Sequence, residues 1–120
     1  MGLDIYASNA PDEVSLTPEQ AQAFEEADIR LCGGVLSGSG GSFRGKVYVH
    51  VIVRITGINL CQDWIPPETV RRMYRDLAAS DPQQVAEESS VYDMAPEEII
   101  GLRNFFRVCS EHGLGLIGWW

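Results

Sequence analysis

One stretch of this chain concentrates the residues that could do chemistry. From Gly33 to Lys46 the sequence reads GGVLSGSGGSFRGK, with five glycines and three serines up to Ser42 and positive charge directly after. Glycine lacks the Cβ that restricts the backbone, so N–H groups can turn toward a ligand, at a cost in ordering entropy. Gly40 to Lys46 matches G-x-x-x-x-G-K, the phosphate-cradling pattern of a P-loop as far as its lysine. Val47 stands where that loop needs Ser or Thr to hold magnesium, and no buried strand precedes Gly40. Nucleotide hydrolysis is therefore not expected. A simpler anion site stays open. If Ser42 caps a helix, first-turn N–H groups with Ser39, Ser42, Arg44 and Lys46 could hold a phosphate or carboxylate. His50 or Arg54, one or two turns on, would then act as general acid or charge stabiliser. The competing reading is a surface loop whose glycines only relieve steric constraint.

Other constellations are incomplete. The cysteines, Cys32, Cys61 and Cys109, are odd in number and widely spaced, which implies no disulfide framework. Cys109 and His112 are the only local pair of metal-ligating type, and neither CxxC nor HExxH spacing occurs, so no metal and no cofactor are expected. Nothing marks an activated thiolate, and there is no G-x-S-x-G elbow. Glu25–Glu26, Glu87–Glu88 and Glu97–Glu98 are adjacent in helical stretches and point to different sides, as solvated faces do. The sequence closes on Trp119–Trp120, a pair costly to leave in water. In a strand the two rings face opposite sides, which leaves them either packed in the core or presented as an interface anchor.

The elements that must position these groups can be read from punctuation and periodicity. Leu3, Ile5 and Ala7 alternate with polar neighbours, as in a short strand. Thr17, Pro18 and Gln20 form a capping box opening a helix that carries Ala21, Phe24 and Leu31 and stops at Gly33–Gly34. Pro66–Pro67 open a helix through Ala79, with Val70, Met73, Tyr74 and Leu77 on its buried face. Ser80–Asp81–Pro82–Gln83 could cap one further short helix. From Pro96 to His112, Ile99, Leu102, Phe106 and Cys109 share a stripe, and Gly113 ends the helix. Leu114 to Trp120 reads as a strand that pairs with the first. Phe43 to Thr56 is two-sided: Val47, Val49, Val51, Val53 and Ile55 alternate as in a strand, whereas Lys46, His50 and Arg54 fall on one helical stripe that stops at Gly57.

Five pieces of the chain, MGLDIY (1–6), SFRGKVY (42–48), ITG-x-x-L (55–60), WIPPETV (64–70) and FFRVCSEHGLGLIGWW (105–120), make it similar to a family of short bacterial proteins that open with MGLD, an aliphatic residue and Tyr. The resemblance implies no activity, cofactor or fold. In similar sequences the segment after FRGK is less β-branched, which tips 44–56 toward helix.

The 120 residues suit one domain, 1–120, with a Gly/Ser-rich loop at 33–45. Hydrophobic content of 45% with 22% charged residues is that of a globular chain. No apolar run approaches a membrane span, and Met1–Tyr6 lacks the features of a signal peptide, so the expected setting is a reducing cytoplasm. A net charge of −8 argues against direct nucleic-acid binding. Residues 43–75 carry six bases and two acids, while 1–32 carry seven acids and one base and 76–98 seven acids alone. That layout suits internal complementarity, solubility, or recognition of a basic partner. The expected fold is α+β, predominantly helical, with a small sheet formed by the N- and C-terminal strands. The expected role is a small acidic, non-enzymatic interaction module binding a protein partner through Glu87, Glu88, Glu97, Glu98, Trp119 and Trp120, with homo-oligomers compatible. The alternative is a small-molecule binder or enzyme acting on a phosphorylated or carboxylated ligand at the Gly-rich loop.

Overall fold

The computed structural model describes residues 2–27, 29–31, 38, 40–88 and 94–120. Cys32, Ser39 and residues 33–37 of the Gly-rich stretch therefore lie outside the described residues, and so does any statement about how that loop is ordered as a whole. In chain order the elements are β1 (Asp4–Ser8), α1 (Pro18–Glu26), β2 (Ser42–Arg44), a 3-10 turn (Lys46–Tyr48), α2 (Val49–Thr56), α3 (Pro67–Ala79), α4 (Pro82–Glu88), α5 (Pro96–His112) and β3 (Gly115–Trp119). This is an α+β fold in which β1 and β3 do pair. A third strand, β2, completes the antiparallel sheet in the order β2-β1-β3.

Local chemistry explains most of the boundaries. Thr17 Oγ1 accepts from the Gln20 N–H at 3.2 Å, and Gln20 Oε1 accepts from the Thr17 N–H at 2.9 Å, closing the box that starts α1. The amides of Asn9 and Gln20 also bond each other reciprocally, tying the preceding loop to the helix. At α5 the first turn is capped by Glu98, whose Oε2 accepts from the Ala95 N–H at 2.9 Å. Its far end stops at Gly113, in the left-handed conformation that glycine adopts without strain.

Two boundaries differ from the sequence reading, and the two-sided segment after Gly45 resolves as the helix toward which it leaned. Helix α1 ends at Glu26 and not at Gly33–Gly34. Beyond it, Ile29 and Leu31 are buried on either side of exposed Arg30, the two-residue period of an extended segment, and Arg30 bridges Gly38. Ser42 is not a helix cap. It lies in β2 opposite Tyr6, and helical structure begins only at Lys46, after Gly45. The residues after Gly45 are helical despite their β-branched alternation. Val51 and Ile52 turn inward, Val47 and Val53 face solvent, and the Thr56 hydroxyl bonds the Ile52 carbonyl at 2.7 Å.

One core serves all these elements. The inner face of the sheet contributes Ile5, Ala7, Phe43 and Leu116, and it meets Phe24 of α1, Val51 and Ile52 of α2, Val70, Met73 and Leu77 of α3, and the apolar stripe of α5. Phe105 sits among three rings, with centroids 4.9 Å from Phe24, 4.8 Å from Phe43 and 6.1 Å from Phe106. Burial of these side chains is the main favourable term holding the fold.

Candidate functional site

Three of the four described glycines of the 38–45 stretch serve packing, and Gly40 is exposed with open space around it. Gly38, Gly41 and Gly45 are buried. A Cβ on Gly41 would come within 2.7 Å of Leu16 Cδ1, one on Gly45 within 2.7 Å of Ile5 Cγ1, and one on Gly38 would strike the Ile29 side chain. Here the backbone runs directly over core side chains, and only glycine leaves room for that. The G-x-x-x-x-G-K spacing spans β2, so its middle residues lie in a sheet ladder and form no strand-to-helix phosphate loop.

The residues singled out for an anion site are spread over three elements. Ser42 and Arg44 lie on β2, Lys46 opens the 3-10 turn, and His50 and Arg54 follow on α2, where Lys46, His50 and Arg54 are all exposed. Arg54 pairs with Glu88, Nη2 to Oε2 at 3.2 Å, and its Nη1 donates to the Glu88 carbonyl at 3.3 Å. A candidate ligand residue and a candidate partner residue thus engage each other, joining the basic middle of the chain to an acidic flank. Of the remaining acids, Glu87 and Glu97 are exposed. Glu98 is half-buried, and besides capping α5 it accepts a 2.9 Å bond from the hydroxyl of fully buried Tyr48. The carboxylates of Glu88 and Glu98 therefore have structural partners within the chain.

Cys109 and His112 diverge on α5, Cys109 into the core and His112 to solvent. Among the described residues no group of three His, Cys, Asp or Glu side chains could hold a metal ion. Burial pushes the Cys109 thiol far above its ordinary range, whereas Cys61 is exposed. The thiolate is the reactive form. A thiol-specific alkylating reagent should therefore modify Cys61 in the folded protein and Cys109 only after unfolding, as peptide mapping by mass spectrometry would read. Native modification of Cys109 would show that α5 opens locally.

The other face of the sheet is partly open to solvent. Register and alternation place Arg44, Asp4 and Trp119 in one cross-strand row and Ser42, Tyr6 and Ile117 in the next, on the face turned away from the core. Trp64 lies against this side at Gly115, where a Cβ would strike its ring and come within 2.6 Å of the Ile65 carbonyl oxygen. Segment 62–65 also covers the outer edge of β3. The Ile65 N–H donates to Leu116 O at 2.8 Å, the Leu116 N–H to Ile65 O at 2.9 Å, and the Gly118 N–H to Gln62 O at 3.0 Å. An edge that would otherwise offer unpaired backbone groups is thereby closed.

Both closing tryptophans are open to solvent, Trp119 at 68% and Trp120 at 53% of full exposure. Neither ring is packed in the core. Trp119, Trp120, Gly118 and Asp63 together line an open cleft of about 260 Å³. Asp63 was not singled out from sequence, and no local pattern could have marked it. It reaches the tryptophans only through the pairing of segment 62–65 with β3. No family model, curated protein or solved structure matches this chain. No helix among the described residues is long and apolar enough to cross a membrane.

Proposed function

We propose that this chain is a protein-interaction module that engages a basic partner at the β3 end of its sheet, with Trp119 and Trp120 as anchors. The observation that carries this reading is the exposure of both indoles, 68% and 53%, at the end of β3. Tryptophan is among the residues that most often dominate binding energy at interfaces, because one ring removes a large apolar area from water with few torsions to freeze. Tyr6 and Ile117 extend the surface beside Trp119, Asp63 adds negative charge at the cleft, and Asp4 and Arg44 face each other in the neighbouring row. The overall charge of −8 draws cationic partners and speeds their encounter. Free Cys61 and Cys109 fit a reducing, cytoplasmic setting.

Crosslinking mass spectrometry on cells expressing the chain at natural levels tests the reading. A partner crosslinked reproducibly to the wild type should be lost by Trp119→Ala, which truncates an exposed ring and leaves the core untouched. Loss of a central anchor typically costs about 2 kcal/mol or more, roughly 30-fold in affinity. Charge reversal at exposed Glu87 and Glu97 should weaken the same crosslink to a basic partner, and these two are chosen because Glu88 and Glu98 already pair with Arg54 and Tyr48. A partner retained undiminished by Trp119→Ala would refute recognition through this end of the sheet.

A further inference from the structure

We propose that the cleft between Asp63 and the two closing tryptophans receives an arginine side chain of the partner, a ligand class that rests on the interaction reading above. Three features of the lining select it. Trp119 and Trp120 supply indole faces, whose negative quadrupole attracts a cation and stacks best with a planar one. Asp63 is exposed and supplies a carboxylate, an acceptor that a guanidinium meets with a two-pronged hydrogen bond. Gly118 supplies a floor without a side chain, and its N–H is already committed to the Gln62 carbonyl, so the floor offers no donor to an anion. The lining thus contains acceptors and aromatic faces and no cationic group.

Other ligand chemistries use only part of this set. A phosphate or carboxylate would meet Asp63 with like charge. An aliphatic or aromatic group would cover the rings and leave the carboxylate to be desolvated without a partner, which is unfavourable. A lysine ammonium would satisfy Asp63 as a point charge but lacks the planar surface that stacks on an indole. Arginine uses both. Asp4 lies directly across the ladder from Trp119 but has Arg44 across from it on its other side, so the selectivity rests on Asp63.

The test uses the full chain with nitrogen-15 in its three tryptophans, whose indole N–H resonances report on Trp64, Trp119 and Trp120 separately. The probes are blocked tripeptides Gly-Xaa-Gly, with Xaa arginine, lysine or citrulline, the last a neutral shape mimic of arginine. The arginine peptide should shift the Trp119 and Trp120 signals saturably, with a dissociation constant on the order of 1–10 mM, as suits a single side chain. Trp64 should stay unmoved, the lysine peptide should bind several-fold more weakly, and the citrulline peptide at least tenfold more weakly. Asp63→Asn should reduce arginine affinity roughly tenfold, and added salt should weaken it further. Equal binding of the citrulline peptide, an Asp63→Asn variant of unchanged affinity, or no saturable shift up to about 20 mM would overturn the proposal. The two readings fail separately. A partner captured through Trp119 without arginine binding leaves the interaction module and removes the ligand class. Arginine binding without a Trp119-dependent partner keeps the cleft and removes the module.

Discussion

Replacing Gly118 with alanine is expected to cost about 3 kcal/mol of stability, although it adds a single methyl group to a strand. The methyl would point into the Gln62 carbonyl oxygen and within 3.0 Å of the Leu60 carbonyl oxygen. Both obstacles are backbone atoms, so no side-chain rotation relieves the clash. Segment 60–65 would have to withdraw from β3. That movement threatens the Gly118 N–H to Gln62 bond and the paired bonds between Ile65 and Leu116. Overpacking typically costs 1–3 kcal/mol, and a lost backbone hydrogen bond adds about 1 kcal/mol. For a domain of this size the sum lowers Tm by roughly 10 °C. Urea unfolding followed by circular dichroism reads the effect as a lower midpoint at constant slope. Gly40→Ala is the matched control, because nothing lies within 4 Å of its added Cβ. A Gly118→Ala variant within about 1 kcal/mol of wild type would show that the loop yields freely and that Gly118 does not hold the close approach. The cleft would respond as well. The ring of Trp120 lies 3.3 Å from the added Cβ, so the Trp120 indole resonance should shift before any ligand is added.

Phe105→Ala is expected to cost about 4 kcal/mol, the largest effect of any single side-chain truncation considered for this core. Phe105 is fully buried on α5 and is the ring through which α1 and β2 meet that helix. Its edge-on contact with Phe43, at 4.8 Å and 78° between planes, and its tilted contact with Phe24 have the geometry in which ring quadrupoles attract. Truncation leaves a hole bordered by Phe24, Phe43 and Phe106, which three different elements hold in place, so collapse into the hole is limited. The cost is then the transfer term of the missing ring plus a cavity term, together 3–5 kcal/mol in comparable sites. A domain with roughly 5–15 kcal/mol of total stability would be left marginal. Phe105→Leu, which keeps most of the volume, should lose about half as much. Equilibrium urea unfolding of the three proteins checks both numbers. A loss below about 2 kcal/mol for the alanine variant would mean that the neighbouring rings close the hole.

These two positions differ in how far sequence reveals them. Phe105 stands in a helix marked at both ends by Pro96 and Gly113, but the stripe of Ile99, Leu102, Phe106 and Cys109 read from spacing leaves it out. Its full burial comes from the contacts of α1 and β2. The role of Gly118 is invisible in sequence, where it reads as one more glycine in a Gly-rich ending. The same holds for Gly41 and Gly45. Their clustering with serines and bases suggests a cradle for an anion, and the chain instead uses their missing Cβ atoms to lay backbone over Leu16 and Ile5. A glycine that contacts a ligand and a glycine that contacts the core look alike until the third dimension is known.

What the sequence by itself determined is everything that depends on residues within about one helical turn of each other. The capping box of Thr17 and Gln20, the prolines that open α3, α4 and α5, and the left-handed stop at Gly113 are such features. So are the apolar stripes of α3 and α5 and the alternation of β1 and β3. Tertiary structure decided whatever depends on partners far along the chain. Strand β2, three residues long, exists because β1 offers it a ladder. The β-branched run after Gly45 became a helix because its neighbours bury Val51 and Ile52 and leave Val53 outside, against its strand-like alternation. Arg54 found Glu88 34 residues away, and Tyr48 found Glu98 50 residues away. The cleft follows the same logic, since Asp63 meets Trp119 and Trp120 only after segment 62–65 has docked along β3. Local patterns encode hydrogen bonds and periodicities that close within a few residues. Side chains from distant segments come together only through packing of the whole core, and the site proposed here depends on one such meeting, that of Asp63 with residues 118–120.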